Sequence, residues 1–340
     1  MNDCVNKVRA FAHDRKTGLN DVEIDHNSIL RLAHEFAGKD PVAPTWHDPE
    51  GIFPVDDLAF VCHEFYRSAV NACYADPVTP NKKFSVESGK FSGSMALGRC
   101  FYRRFGESQI EPEDILRLTD VPGELEKFFA GDGDPIPLLE ERRVHLREAA
   151  RVIRDRFDGD PLNIMAEAGY RVVPKSDGVS DGILELLFDC FPITFGRDRV
   201  LCLNADLIFA KRAQLWPCLY QGRALERGSA LTPLVDPEHI GPILDYHVIN
   251  VLRYHGCLRY SERLANHVDS KRPIERHSPE EIEMRAKAAA VVVKLVEIIN
   301  ALRPTGSKVY TGVEIDAALW LFGREAAKRH PYHLCLTMDY

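Results

Sequence analysis

The 340-residue sequence contains no Walker loop, no GxGxxG turn, no HExxH pair, no GxSxG elbow and no EF-hand loop. These absences exclude the common NTPases, dinucleotide enzymes, zincins and α/β-hydrolases. It also lacks any CxxC pair. Its nine cysteines are odd in number and widely scattered, so neither a disulfide framework nor a zinc knuckle is expected. Most lie in apolar runs, where a reduced cysteine behaves as a small hydrophobe, which points to a reducing, cytoplasmic setting. There is no long hydrophobic run: the longest apolar stretch, from Ala286 onward, is interrupted by Lys287, Lys294 and Glu297. The first residues lack the apolar core of a signal peptide, and no membrane partner is expected. Nor is there an excess of basic charge. A net charge of −8 leaves no basic face for gripping a nucleic-acid polymer, although a local basic pocket for one phosphate is compatible with it.

What is present is an ordinary globular balance, 45% apolar and 28% charged residues, in a chain long enough to bury a sizeable core. Helical periodicity dominates. The spacing predicts helices over 28–38 (capped by Asn27 or Ser28 and stopped by Gly38), 56–75, 93–105, 111–118, 124–129, 138–157 and 161–168. Further helices are predicted over 182–190, 206–221, 240–252, 261–267, 279–302 and 312–329. Strand signals are few: a hairpin over 83–91 around Ser88-Gly89, and a second with 193–195 and 200–203 flanking residues 196–199. The expected fold class is therefore mainly α, a helical bundle with a small β-hairpin accessory. No internal repeat or low-complexity tract is visible. GDGDPIP at 131–137 is either a loop within one domain spanning 1–340 or a linker between sub-layers 1–130 and 138–340.

The candidate chemistry lies in scattered acids and basic groups. Asp245 sits near the start of an apolar-faced helix, PILDYHVINVLRYHG. It is either a helix-start acid complementing the helix dipole or a carboxylate held in an apolar pocket against a sugar. Cleaving a glycosidic bond builds positive charge on the anomeric carbon and ring oxygen, which a fixed carboxylate stabilises, attacks, or opposes with an oriented water. His247 and His255 flank it, but their eight-residue spacing is too long for one ion without other ligands, so a structural role is preferred and no metal is assigned. Lys211 and Arg212 in FAKRAQ either hold a phosphate monoester or form a solvated basic pair. Trp46 and His47 in PTWHDP either line a pocket or build a helix-start turn. Asp316 is the one acid in VEIDAALWLF. It is exposed, or paired with an arginine such as Arg285, or part of a polar site. The terminal PYHLCLTMDY is apolar enough to dock.

Taken in order, IDHNSILRLA, VNACY, FSG, IPLLEERRVHLREAARVI with FDGDPLN, FAKRAQ, LDYHVINVL with GCLRYS, EIEMRAKAA, IDAALW and PYHL…DY form a specific set covering nearly the whole chain. In order and spacing the set resembles the queuosine salvage proteins. The resemblance implies an all-α fold related to helical DNA glycosylases, and metal-free, cofactor-free hydrolysis of the N-glycosidic bond of queuosine 5′-phosphate to release queuine. That family's Phe-Ala-Asp-Tyr-Arg motif falls on residues 243–247, so the resemblance makes Asp245 the catalytic carboxylate, with Ile243, Leu244 and Tyr246 beside it. It further implies His47, Asn71, Asp316, Ala317, Trp320 and Leu321 as substrate-lining residues, and Lys211 as the phosphate contact.

The sequence departs from the family pattern where the family stacks on and hydrogen-bonds the base. Ser68 replaces an Asp, Ala72 a Phe, Ala75 a Trp, Ala317 a Tyr, Leu321 an Asp and Ile243 a Phe, whereas Asn71 and Cys73 are retained. These changes imply a larger, less polar base site. The expected partner is a small nucleotide, handled by a monomer or weak homo-oligomer. Three alternatives stay open: a different modified or deazapurine base, a non-catalytic nucleotide- or base-binding protein, and a helical adaptor with no small-molecule site.

Overall fold

The computed structural model describes residues 3–38, 46, 51–76, 83–133, 135–174, 181–326 and 330–340. In chain order these form α1 (Asp3–His13), β1 (Val22–Ile24), α2 (His26–Ala37), α3 (Asp57–Ala69), β2 (Ser85–Val86), β3 (Phe91–Ser92), α4 (Ser94–Phe105) and α5 (Pro112–Asp120). There follow α6 (Glu124–Phe128), α7 (Leu139–Arg156), α8 (Leu162–Glu167), α9 (Ile183–Cys190), β4 (Arg199–Cys202), β5 (Ala205–Ile208) and α10 (Lys211–Ala224). The remainder comprises α11 (Tyr246–Tyr254), β6 (Leu258–Tyr260), α12 (Glu262–Asp269), α13 (Pro279–Leu302) and α14 (Gly312–Ala326). The expected mainly helical class holds. Among the described residues the strands form only three antiparallel two-stranded pairs, β1–β6, β2–β3 and β4–β5. No disulfide joins the nine cysteines, all of which are described. No helix among the described residues is long and apolar enough to cross a membrane.

The contacts divide the chain into two compact units, each assembled from separated segments. The first comprises Met1–Pro44, Asp198–Lys211 and Glu238–Leu336. Its centre is α13, which starts cleanly because Ser278 caps it by accepting the Glu281 N–H and Pro279 occupies the first turn, where no N–H is needed. Residues 281–286 and 288–293 of α13 are buried on every side, as in a helix enclosed by others. α1, α2, α11 and α14 pack around it. α2 presents Ile29, Leu32, Ala33 and Phe36 at helical spacing. Its cap is Asp25, whose Oδ1 accepts from Ser28 N–H at 2.6 Å, rather than the expected Asn27 or Ser28. β1 pairs with β6 in the register Val22↔Tyr260 and Ile24↔Leu258, and buried Glu283 of α13 ties β1 down by accepting the N–H groups of Asp21 and Val22.

The second unit comprises Thr45–Arg197, Arg212–Pro237 and Thr337–Tyr340. α3 is buried from Ala59 to Ala69 and packs Phe65 edge-on against the Trp216 ring at 5.0 Å. The predicted helix over 56–75 stops at Ala69 because two buried arginines take over the carbonyls that a continuing helix would use. Arg212 donates to Ala69 O, and Arg142 of α7 donates to the carbonyls of Val70, Ala72 (2.6 Å) and Cys73 (2.8 Å). Guanidinium donors satisfy these buried acceptors where the backbone ladder does not. Arg212 is thus a structural donor here rather than a surface cation.

Three other expectations change. The second hairpin is β4–β5, one strand later than predicted, turned by Leu203 and Asn204 with φ of +48° and +68°, the paired left-handed geometry of a tight hairpin. Leucine is not a turn residue, which hid the turn, and α10 consequently begins at Lys211 instead of residue 206. α11 begins at Tyr246, leaving 240–245 as irregular chain. α1 and the β1–β6 pair were not anticipated at all.

His63 and His145 are fully buried in the second unit, and burial pushes their imidazoles down to about 4 and about 2. In the unfolded chain each titrates near the ordinary 6.5, so below that pH unfolding takes up protons. The stability contributed by the neutral rings is fully present above pH 6.5 and is lost as pH falls from there toward the folded values. Denaturant midpoints are expected to decline from pH 7 to pH 5, and the decline should be shallower in His145→Gln. An equal decline in that variant would show that this ring does not contribute.

Candidate active site

The site is built on the irregular stretch before α11. Asp245 is the N-cap of that helix (φ −61°, ψ 150°), and its Oδ1 accepts the His247 N–H at 2.9 Å. An acid here satisfies a donor that the helix cannot. The structure therefore contains the plain helix-start role, together with surroundings that such a role does not require. Leu244, the residue before, lies in the left-handed region at φ +55°. On the N-terminal side of that turn, the N–H groups of both Ile243 and Leu244 donate to Oδ1 of Asp316, at 3.1 and 3.2 Å. The Lys211 ammonium, 2% exposed, stands 3.7 Å from the other Asp245 oxygen, Oδ2. The Asp245 side chain keeps 12% exposure, so one edge of this buried charge pair is open.

Asp316 lies one turn into α14, between the fully buried Ile315 and the half-buried Ala317. It is 3% exposed, so the polar site, not exposure or an Arg285 pair, is the outcome of the three roles considered for it. Burial pushes its carboxyl up to about 7; the neighbouring Asp245 charge acts in the same direction, while the two backbone N–H groups and Lys211 pull it back. Two carboxylates and one ammonium thus share a small buried space. One of the two acids sits where a proton is exchanged near neutral pH, an arrangement more typical of reactive sites than of packing.

Arg285 is engaged elsewhere. Its guanidinium is 0% exposed, grips Asp198 with two bonds of 2.8 and 2.6 Å, contacts Glu281 at 3.2 Å and lies 4.0 Å over the Phe209 ring. Asp198 in turn accepts the backbone N–H of Lys211 at 3.4 Å. The Glu281–Arg285–Asp198 triad therefore anchors the first residue of α10, the one that carries the ammonium beside Asp245. Close by, Tyr246 packs its ring against His247 (4.5 Å) and Tyr332 (4.6 Å). His333 is buried; burial and Arg285 push it down to about 4, against a pull from Asp245.

Of the residues expected from sequence, Lys211, Ile243, Leu244, Asp245, Tyr246 and Asp316 are gathered at this one place in the first unit. Ala317 and Trp320 are half-buried on α14, and Leu321 is exposed at 38%. Asn71 belongs to the second unit, where its side-chain oxygen accepts the Tyr74 hydroxyl at 3.0 Å. His47 lies outside the described residues. Sequence reasoning missed the support given by Arg285 and Asp198, and the presence of Tyr332 and His333. The EIEMR and PYHL segments carried that signal as motifs, but nothing in their spacing says which partner each side chain chooses.

Comparison with known proteins places the chain among relatives. A family model described as queuosine salvage protein matches residues 55–340. A protein of Sphaerobacter thermophilus named queuosine 5′-phosphate N-glycosylase/hydrolase is 30% identical over 325 residues, covering 94% of this chain and 93% of its own. Mouse and Dictyostelium discoideum proteins of the same name are 26% and 28% identical, covering 92% and 84% of this chain and 92% and 73% of their own. With a family model matching well over half of its length and a 30% identical relative covering nearly all of it, the chain belongs to the queuosine salvage protein family.

Proposed function

We propose that the protein hydrolyses the N-glycosidic bond of queuosine 5′-phosphate, releasing queuine and ribose 5-phosphate. The observation that carries this reading is the Asp245 carboxylate, fixed by a helix cap, faced by a buried ammonium and open at one edge. As the bond to the base breaks, its electron pair leaves with the base and the sugar becomes oxocarbenium-like. Asp245 stabilises that cation or activates the water that adds to the anomeric carbon. The water's oxygen ends on the sugar, and one of its protons balances the departing base.

Lys211 holds the 5′-phosphate in this reading, and Trp320 lines the base together with Asp316. The chain works as a single domain whose helical architecture is related to helical DNA glycosylases. It acts in the cytoplasm as a monomer or weak homo-oligomer, on a free nucleotide rather than a nucleic-acid polymer. Incubation with queuosine 5′-phosphate and a panel of nucleotides, scored by free base, tests the reaction; no turnover across the panel would leave only nucleotide or base binding. A Lys211→Ala variant is expected to raise KM for the 5′-phosphate substrate at least tenfold, a charge-assisted contact being worth about 1.5–3 kcal/mol. It should change KM for the dephosphorylated nucleoside little, and equal effects on both substrates would remove the phosphate role.

A second reading differs only in the base. Ala317 and Leu321 offer no side-chain hydrogen-bonding group, which favours a less polar base than queuine. The same panel decides between the two by which substrate has the highest kcat/KM.

A further inference from the structure

Asp316 has a relation to the backbone that lining a base site does not require. One of its oxygens, Oδ1, accepts two consecutive amides, those of Ile243 and Leu244. Consecutive N–H groups of extended chain point in opposite directions; the torsions of Ile243, between the two amide planes, bring these together, and Leu244 follows at φ +55°. A leucine is seldom found there, and such a conformation persists only where its surroundings over-determine it. The acceptor itself is firmly placed. Its neighbours in α14, Ile315 and Leu319, are both 0% exposed. Two turns further along the same face, Gly323 lets α14 approach α11 so closely that an added Cβ would stand 2.7 Å from the His247 Cβ.

The Asp245 carboxylate is less well restrained by its own bonds. One oxygen accepts the His247 N–H, and the other is 3.7 Å from the Lys211 ammonium, longer than a strong charge-assisted hydrogen bond. Its direction therefore depends on where the preceding turn sets its Cα. We propose that Asp316 is a positioning residue for glycosidic cleavage: by gripping the amides of Ile243 and Leu244 it fixes the two amide planes that lead into the left-handed Leu244, from which the Asp245 carboxylate is aimed. The inference rests on the reading of Asp245 as the cleaving carboxylate.

The test compares Asp316→Ala, Asp316→Asn and Asp316→Glu with Asp245→Asn, measuring kcat, KM and melting temperature on queuosine 5′-phosphate. Asn keeps an oxygen acceptor in place, whereas Ala keeps none and Glu moves its oxygens out by one methylene. Asp316→Ala is expected to lower kcat about 100-fold, as a misplaced catalytic group does, with KM within about threefold. Asp316→Asn should recover to within about tenfold of the parent, since its amide oxygen still accepts both N–H groups. Asp316→Glu, which keeps a buried carboxyl, should lose kcat much as Ala does, and it stands in if the Ala variant does not fold. Because Asp316 acts through Asp245, adding Asp316→Ala to Asp245→Asn should lower single-turnover rates by less than threefold further. The inference is overturned if Asn is as poor as Ala, if Glu is fully active, or if the two losses multiply. Full activity of Asp245→Asn alone would instead sink the reading on which it rests.

Discussion

Asp245→Asn is expected to lower kcat on queuosine 5′-phosphate on the order of 1,000-fold, the scale of losing a fixed electrostatic stabiliser of the transition state. The fold should survive. Asparagine is as good an N-cap as aspartate, and its amide oxygen can still accept the His247 N–H that Asp245 accepts at 2.9 Å. What disappears is the negative charge facing the developing cation. Nucleotide affinity, measured by calorimetry, should change by only a few-fold, because the charge acts on the transition state more than on the ground state. A variant that binds and turns over like the parent would move the chemistry to another residue. A variant that fails to bind would make Asp245 a recognition group and not a catalytic one.

The second large effect concerns stability. Arg285→Met removes the guanidinium from between Asp198 and Glu281, which are 4% and 0% exposed. Two carboxylates would then face one another in a space that excludes water. Breaking such a buried ionic cluster at one partner costs about 3–5 kcal/mol, read as a drop in the urea midpoint at unchanged slope. Activity should fall as well, because Asp198 holds the backbone N–H of Lys211. The triple variant Arg285→Met, Asp198→Asn, Glu281→Gln should regain much of the lost stability, since desolvating the ions costs about as much as their attraction returns. If the single variant is as stable as the parent, the cluster is not what holds the start of α10.

Most of the helical framework was legible in sequence because it rests on local rules. α13 has its Ser cap, its Pro and an all-round apolar run, and its predicted bounds match the structure. The residues around Asp245 were legible in a different way, through ordered motifs, since composition alone left Asp245 as one acid among many. What stayed hidden depends on partners distant in sequence. Nothing near position 70 announces that Arg142 and Arg212 will claim the next carbonyls and end α3. Nothing in VEIDAALW says that Asp316 will meet amides 72 and 73 residues away. The Leu203-Asn204 and Leu244 turns were hidden for a related reason. Left-handed residues are usually glycine or asparagine, and a leucine there is held by its surroundings rather than by its own preference.

The left-handed Leu244 brace has one more consequence. It is made entirely of the chain's own groups, with both amides bonded to Asp316 and the Asp245 cap formed. The entropy of ordering these groups is thus lost during folding, and a substrate that docks there finds the carboxylate preorganised. Affinity is then governed by the ligand's own desolvation and fit instead of by reshaping this turn.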